Sequence, residues 1–290
     1  MQLGSLQCSI NEQEFLLFSD YIANKCGMVI PPEKAYLIET RLTGLMLDVG
    51  AESFSELYTH IQEDADAIMA QKVINSITIN ETMWFRDSAP WKVLEELVLP
   101  RLVFEIRSGM RVRARIWSAA VSTGQEIYST VMCIDDYLQK HHITDVKLSH
   151  FEFLATDIST SMLGLAKRGR YDKVSINRGL DDYYRRRYFC QTGSAWELDQ
   201  RVKEAVRFER FNLQDNCDLL GKFDVILCRY VLIYFSEELK RAVAHRIHGA
   251  LADDGVLFTG NYALYDLLAS EYDTMHYENL TYYSKKKEAS

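Results

Sequence analysis

The chain has 290 residues, is 48% hydrophobic and carries a formal net charge of −8 at pH 7. This length allows one large domain or two, and the negative charge argues against nucleic-acid binding. No apolar run is long enough to cross a bilayer and no signal peptide is evident, so we expect a cytoplasmic protein that does not insert into membranes. The six cysteines form no CxxC pair and no metal-ligand spacing. We therefore expect buried free thiols and no bound metal.

The first quarter of the chain has only helical signals. Asn11 and Glu14 resemble a capping box that opens a first helix, and Ser53 with Glu56 resembles a second box that opens a third helix. Apolar residues at helical spacing predict two more helices, one between these and one after them. We therefore expect a small all-α domain over residues 1–77.

From about Arg111, apolar β-prone runs alternate with helical stretches. This alternation predicts an α/β domain with a mostly parallel, Rossmann-like sheet, which we assign to residues 78–290. The predicted strands cover residues 112–117, 151–155, 206–211, 223–227 and 256–259. Residues 183–206 interrupt the alternation with turn residues between short aromatic runs, which predicts an inserted small β-subdomain.

Ligands of open α/β sheets bind beyond the carboxyl ends of the strands. The first predicted strand leads into Ser122-Thr123-Gly124-Gln125-Glu126, which lacks the glycine fingerprint of NAD and FAD sites. After the second strand, Asp157 can bind ribose hydroxyls or cap a helix. After the third, Asn212 can bind an adenine edge or form an Asx-turn. After the fourth, Arg229 and Tyr230 can place donors near a carboxylate; the alternative is that the aromatic residues pack in the core and that Arg229 snorkels toward solvent.

A further segment, Thr78 to Arg86, is rich in polar and aromatic residues. This composition is typical of a segment that lines a cleft, whereas a linker would contain more Gly and Pro. Together these stretches resemble, in order along the chain, the bacterial chemotaxis receptor methyltransferases of the CheR family. The matching motifs are Asn80-Glu81-Thr82-x-x-Phe85-Arg86, Ser122-Thr123-Gly124-Gln125-Glu126, Ala155-Thr156-Asp157-Ile158, Asn212-Leu213 and the run from Phe223 to Phe235. The resemblance covers nearly the whole chain, including its helical start. It implies a class I methyltransferase fold and methyl transfer from S-adenosylmethionine to glutamates of chemoreceptors, leaving S-adenosylhomocysteine and glutamyl methyl esters.

The resemblance also implies roles for individual residues. Arg86 and Tyr234 would lie closest to the chemistry and hold the acceptor glutamate. Asp157 would hold the ribose, Glu126 would lie near the methionine end, and Asn212-Leu213 would flank the adenine. The full set expected to contact the cofactor is Asn80, Thr82, Arg86, Glu126, Asp157, Asn212, Leu213, Arg229 and Tyr230.

The sequence departs from the family pattern at several places. Tyr230 stands where family members usually carry Asn, and Asn261-Tyr262 stands where they commonly carry His-Ser. Family members usually carry further arginines after the Arg-Leu pair of the second helix, whereas here Arg41-Leu42 is followed by Gly44, Leu45 and Leu47, which weakens steering toward an acidic partner. The β-excursion is short, so we predict that the chain does not bind a receptor's C-terminal pentapeptide.

Three functions stay open at this point. The first is an active, monomeric protein-glutamate methyltransferase. The second is a cofactor-binding regulatory homologue with weak or no transferase activity, which Tyr230 favours. The third is a methyltransferase with another acceptor, which the reduced basic face favours. A dinucleotide-dependent oxidoreductase ranks last because the glycine fingerprint is missing.

Overall fold

The computed structural model describes residues 9–260, 269, 271–278 and 280–286. Its contacts divide the chain into two compact units. One comprises Met1–Ile79 with Tyr234–Ser236, and the other comprises Asn80–Ile233 with Glu237–Ser290. None of the described helices is long and apolar enough to span a membrane.

The described part of the first unit contains α1 (Glu12–Cys26), α2 (Tyr36–Val49), α3 (Phe54–Glu63) and α4 (Ile68–Ile77). The capping box predicted for α1 is confirmed, because Asn11 Oδ1 accepts from Glu14 N at 2.9 Å and the Glu14 carboxylate accepts from Asn11 N at 3.1 Å. Ser53 caps α3 by accepting from Glu56 N at 3.1 Å. The reciprocal half of that predicted box is wrong, because the Glu56 carboxylate accepts from Glu52 N instead.

The helical unit buries an apolar core that includes Phe18, Ile22, Ile38, Leu42, Phe54 and Leu57. Arg41 on α2 donates from Nη1 to the carbonyls of Ile77 and Thr78, at 2.6 and 2.9 Å. These bonds satisfy carbonyl groups that the end of α4 leaves without helical partners. Arg41 is therefore a structural link between two helices.

The second unit alternates strands and helices as predicted. Its strands are β1 (Ala114–Ala119), β2 (Phe151–Asp157), β3 (Arg170–Tyr171), β4 (Phe189–Thr192), β5 (Ala195–Leu198), β6 (Val206–Arg210), β7 (Phe223–Leu227), β8 (Leu251–Phe258), β9 (Tyr272–Tyr277) and β10 (Leu280–Lys285). Its helices are α5 (Ser88–Val93), α6 (Leu99–Arg107), α7 (Gln125–Lys140), α8 (Thr160–Arg168), α9 (Lys173–Asn177), α10 (Asp182–Tyr188), α11 (Gln200–Glu204) and α12 (Glu237–Ala250). A π-helix at Leu94–Val98 joins α5 to α6.

The main sheet has seven strands in the order β6-β2-β1-β7-β8-β10-β9. Neighbours from β6 to β8 pair in parallel, whereas β10 pairs antiparallel with both β8 and β9. Every residue of the central strand β7 is buried, including Asp224, and its nearly continuous apolar sequence is typical of a parallel strand covered on both faces. The five predicted strands and the predicted fold class are confirmed, with shifts of a few residues at the strand ends.

A separate three-stranded sheet, in the order β3-β5-β4, forms the inserted β-subdomain. Its β4–β5 hairpin turns at Gly193 and Ser194. The sheet begins at Arg170, earlier in the chain than the aromatic runs indicate. Among the described cysteines, four are buried and free, whereas Cys190 on β4 is exposed, so the expectation of buried thiols fails there.

Candidate functional site

The chain between β1 and α7 makes a tight turn at the carboxyl end of the sheet. Ala120 and Ser122 lie in the left-handed region, with φ of 59° and 54°. Gly124 has φ of 94°, and a Cβ atom there would lie 3.0 Å from the Tyr128 ring. Glycine is therefore required at 124, and α7 begins directly after it.

Asp157 ends β2 beside this turn and is buried. Its Oδ2 accepts from Ser122 N and its Oδ1 accepts from Ser159 N, both at 2.8 Å. Burial raises the pKa of the Asp157 carboxyl above its usual range, and the hydrogen bonds from these backbone N–H groups oppose that rise. Ser159, and not Asp157, caps α8, so the alternative reading of Asp157 as a helix cap is wrong. Ser122 Oγ also donates to Asn80 O at 2.8 Å, which ties the predicted cleft segment to this strand end.

Arg229 follows β7, and only 1% of its side chain is exposed. It donates to Asp87 Oδ2 at 2.7 Å and to Glu126 Oε2 at 3.0 Å, and Ser118 Oγ donates to the other Glu126 oxygen at 2.7 Å. The interpretation of Arg229 as a snorkelling core residue is therefore wrong. Its Nε is buried and has no hydrogen-bond partner among the described residues. An unsatisfied buried donor beside a cavity is a group that a ligand can satisfy.

Tyr230 closes the same end of the site. Its hydroxyl donates to Asp87 Oδ2 at 2.5 Å, and the Arg86 guanidinium carbon lies 3.6 Å from its ring centroid. This distance is a close cation–π contact. Tyr230 itself has φ of 59°, and a Cβ atom on Gly260 would lie 3.0 Å from the Tyr230 ring.

Strained backbone is concentrated around this site. Five described non-glycine residues with positive φ belong to the segments that build it: Phe85, Asp87, Ala120, Ser122 and Tyr230. Such conformations cost about 1–3 kcal/mol each and persist where the surrounding structure holds them. Hydrogen bonds supply that restraint here; Phe85 N, for example, donates to Ser129 Oγ at 3.1 Å. The concentration of strain indicates a functional site.

These groups surround a small cavity of about 30 Å³, with room for about two water molecules. It is lined by Glu81, Thr82, Met83, Arg86, Ala120, Val121, Glu126, Arg229 and Tyr230. Five of the residues predicted from sequence to contact the cofactor thus share one wall: Thr82, Arg86, Glu126, Arg229 and Tyr230. The cavity is too small for a nucleoside while the lining side chains hold these positions.

The remaining predicted residues lie in several places. Asn212 Oδ1 accepts from Gln214 N at 3.0 Å, which forms the Asx-turn that was one alternative. Asn212 also follows Phe211, whose N donates to Asp157 O at 3.1 Å, so it lies at the strand end next to Asp157. Tyr234 belongs to the helical unit, where its carbonyl accepts from Val29 N at 2.8 Å. That Tyr234 and Arg86 both lie close to the chemistry stays a prediction. The departure from the family pattern at Asn261-Tyr262 lies outside the described residues.

The sequence motifs did not identify three participants in the site. Asp87 bridges Arg229 and Tyr230, Ser118 supports Glu126, and Ser122 links Asn80 to Asp157. Asp87 directly follows the Arg86 motif, so an acidic residue beside an arginine was the available signal. The two serines gave no signal, because their roles depend on the left-handed turn after β1.

Comparisons with known proteins agree with this architecture. The family model described as CheR methyltransferase, SAM binding domain, matches residues 80–277. The model described as CheR methyltransferase, all-alpha domain, matches residues 13–78.

Several curated relatives are similar over most of the chain. Chemotaxis protein methyltransferase 1 of Pseudomonas aeruginosa is 42% identical over 248 residues, which covers 85% of this chain and 88% of that protein. Chemotaxis protein methyltransferase Cher2 of Pseudomonas putida is 38% identical, with 87% and 90% covered. Chemotaxis protein methyltransferase 1 of Vibrio cholerae is 36% identical, with 87% and 89% covered. The chain therefore belongs to the CheR methyltransferase family, and its α/β unit carries the family's S-adenosylmethionine-binding domain.

Proposed function

We propose that this protein transfers the methyl group of S-adenosylmethionine to glutamate side chains of methyl-accepting chemotaxis receptors in the cytoplasm, giving glutamyl methyl esters. The names of its relatives, chemotaxis protein methyltransferases, support methylation in chemotaxis. The observation that carries the proposal is the shared cavity wall of Thr82, Arg86, Glu126 and Arg229 at the ends of β1 and β7. The protein acts as a monomer and binds no nucleic acid, in keeping with its net charge of −8.

The residues present fit the cofactor. The free Nε of Arg229 offers a donor to the cofactor's carboxylate, and Glu126 offers an acceptor to its amino group. Asp157 has lone pairs beyond those used by Ser122 and Ser159, and these suit the ribose hydroxyls. Asn80 and Thr82 line the methionine side, and Asn212-Leu213 flank the adenine. When bound, the cofactor supplies a methyl group on a positively charged sulfur.

The chemistry asks little of the protein beyond placement. A glutamate carboxylate is already a nucleophile at neutral pH, so no general base is needed. The protein must align the carboxylate with the methyl group and remove water from both. Arg86 and Tyr234 hold the carboxylate through charge and hydrogen bonding.

Base-labile methyl incorporation into receptor-containing membranes tests this reaction directly. Arg86→Ala should lower the initial rate about 100-fold, because a misplaced acceptor loses alignment. Arg113→Ala is the matched control, since Arg113 is an exposed arginine outside the cavity wall. Near-normal transfer by Arg86→Ala, or no transfer by the unmodified protein, would refute the proposal.

We expect only weak electrostatic attraction between the helical unit and an acidic receptor surface. The outer face of α2 exposes Tyr36, Thr40, Gly44, Leu47 and Asp48, none of them basic. Arg41 is engaged with the end of α4. Methylation should therefore change little between low and moderate salt, in contrast to an association steered by charge. A strong salt dependence would argue for a different docking face.

The β-subdomain supports independence from a receptor tail. The β4 and β5 strands are four residues each and are joined by a minimal turn. Such a hairpin offers little surface to a tethered peptide. Titration with a receptor-tail pentapeptide should give no binding, and micromolar affinity would refute this part of the proposal.

The cavity of about 30 Å³ and the Arg86–Tyr230 contact favour a second candidate, a cofactor-binding regulatory homologue with weak or no transferase activity. Calorimetry with S-adenosylmethionine combined with the transfer assay separates the two. A regulator would bind the cofactor and leave receptors unmethylated. Transfer to a non-receptor acidic protein would instead indicate another acceptor.

A further inference from the structure

The ring of Tyr230 presents an aromatic face that holds a cation. The cation in this structure is the chain's own Arg86, with its guanidinium carbon 3.6 Å from the ring centroid. The guanidinium of Arg229 lies farther away, at 5.5 Å, and is committed to two carboxylates. Arg86 is therefore the resident partner of the ring.

The Tyr230 ring is held in position by its surroundings. Its hydroxyl is anchored on Asp87, and the backbone of Gly260 lies so close that a Cβ there would crowd the ring. The strained backbone at Tyr230, with φ of 59°, indicates that the position is imposed by these contacts. A ring fixed in this way keeps its face available to whichever cation is present.

The charge of the pocket also favours a cation. Asp87 and Glu126 are two carboxylates that share the single guanidinium of Arg229. Without Arg86, these three groups carry one net negative charge, and Arg86 brings the total to zero. A ligand that displaces Arg86 from the ring restores this balance only if it brings a positive charge of its own.

We propose that the Tyr230 ring is a binding surface for the sulfonium of S-adenosylmethionine, and that the sulfonium displaces Arg86 from it. This inference rests on the proposed function and deepens it. Displacement frees the Arg86 guanidinium for the acceptor carboxylate, so cofactor binding prepares the second substrate's site. Tyr230 is thus a determinant of cofactor discrimination, and Arg86 is a cation that moves from ring to substrate.

The exchange of one cation for another favours the sulfonium. A guanidinium has five N–H donors and regains hydrogen bonds when it leaves the ring. A sulfonium has three carbon substituents and no donor, so water solvates it poorly and an aromatic face suits it well. A cation–π contact is stronger at a desolvated site than at an exposed one.

Methyl transfer reverses the exchange. The bond from sulfur to the methyl carbon breaks, a bond from that carbon to the carboxylate oxygen forms, and the electron pair stays on sulfur. The sulfonium becomes a neutral thioether and the carboxylate becomes a neutral ester. The thioether has no charge to place against the Tyr230 ring, and the ester has no charge to pair with Arg86. Arg86 therefore returns to the ring and both products are released.

Calorimetry on the full-length protein tests the inference without an activity readout. The measured quantity is the affinity for S-adenosylmethionine divided by the affinity for S-adenosylhomocysteine, since the two ligands differ at the sulfur. Tyr230→Leu removes the ring and should lower this ratio about fivefold, the equivalent of about 1 kcal/mol. Tyr230→Phe is the matched control, because it keeps the ring and removes the hydroxyl that donates to Asp87, and its ratio should equal that of the unmodified protein.

Two more variants control for misfolding of Tyr230→Leu and test the exchange of Arg86 for the sulfonium. Tyr230→Asn also lacks a ring but tolerates the left-handed backbone, so it should show the same fall as Tyr230→Leu. Arg86→Met removes the resident cation and should raise the ratio. Equal ratios in all variants would overturn this inference while leaving the proposed function intact. Absence of cofactor binding to every variant and to the unmodified protein would overturn both.

Discussion

In the helical unit, α1 and α2 end on Gly27 and Gly50, which take the left-handed conformation, and α1 and α3 begin at side-chain caps. At the strand-end site, the same left-handed conformation falls on residues such as Ala120 and Tyr230. The first region follows local propensity almost everywhere, with Ala67 as an exception at φ of 56°. In the second region, several residues take backbone conformations that their side chains disfavour, and buried hydrogen bonds and ion pairs stabilise those conformations. Local rules therefore build the scaffold, whereas the site is held together by tertiary contacts.

The largest effect is expected from the apolar core of the helical unit. Phe54 is fully buried, and Phe54→Ala should lower the free energy of unfolding by about 4 kcal/mol through lost burial and a new cavity. Urea unfolding followed by far-ultraviolet circular dichroism measures this. Tyr36→Ala, at an exposed position of α2, should change stability by less than about 0.5 kcal/mol. Similar losses in both variants would contradict the assignment of this core.

The next largest loss of stability is expected from removing the buried charge of Arg229 at the strand-end site. Arg229→Met leaves Asp87 and Glu126 without their counter-ion and should cost about 3 kcal/mol. All four tryptophans lie in the α/β unit, so fluorescence reports its unfolding selectively. The exposed control Arg113→Met should unfold like the unmodified protein. Unchanged stability in Arg229→Met would mean that the ion pairs contribute nothing net.

A smaller effect is expected at the start of α1. Asn11→Ala removes the side chain that accepts from Glu14 N and should cost about 1 kcal/mol. Ser9→Ala, two residues earlier and exposed, is the control. Circular dichroism during urea unfolding should separate the two variants, and equal midpoints would show that the cap is dispensable.

The smallest effect is the sharpest test of the comparison, because the same substitution should act with opposite sign in the two regions. Ala120→Gly relieves a left-handed alanine and should raise the free energy of unfolding by about 0.5–1 kcal/mol. Ala23→Gly, within α1, should lower it by about 1 kcal/mol. A loss of stability in both variants would show that Ala120 is not strained.

Much of the fold could be predicted from the sequence because its signals are local. The cap at Asn11 and the strand at residues 223–227 each depend on a few neighbouring residues, and both predictions are confirmed. Strand β3 escaped prediction because its two residues, Arg170 and Tyr171, are too few to show a period. The reciprocal bond of Glu56 was mispredicted because another backbone N–H, that of Glu52, competes for the same carboxylate.

The site was partly predictable for a related reason. Residues next to strand ends, such as Glu126 and Arg229, were identifiable because topology brings strand ends together. Both line one cavity, whereas their contact with the cofactor and their individual roles stay predictions. Asp87 and the stacking of Arg86 on Tyr230 could not be predicted, because they depend on side-chain packing between segments about 140 residues apart.

The backbone of Arg86 is pinned while its side chain is the part that must move. Its carbonyl accepts from Trp91 Nε1 at 3.3 Å and from Arg229 Nη2 at 2.7 Å. Leaving the Tyr230 ring therefore requires rotation about side-chain bonds and no loop displacement. Side-chain rotations are faster than the microseconds to milliseconds of a moving lid. Cofactor entry should accordingly show a single kinetic phase whose rate rises in proportion to cofactor concentration.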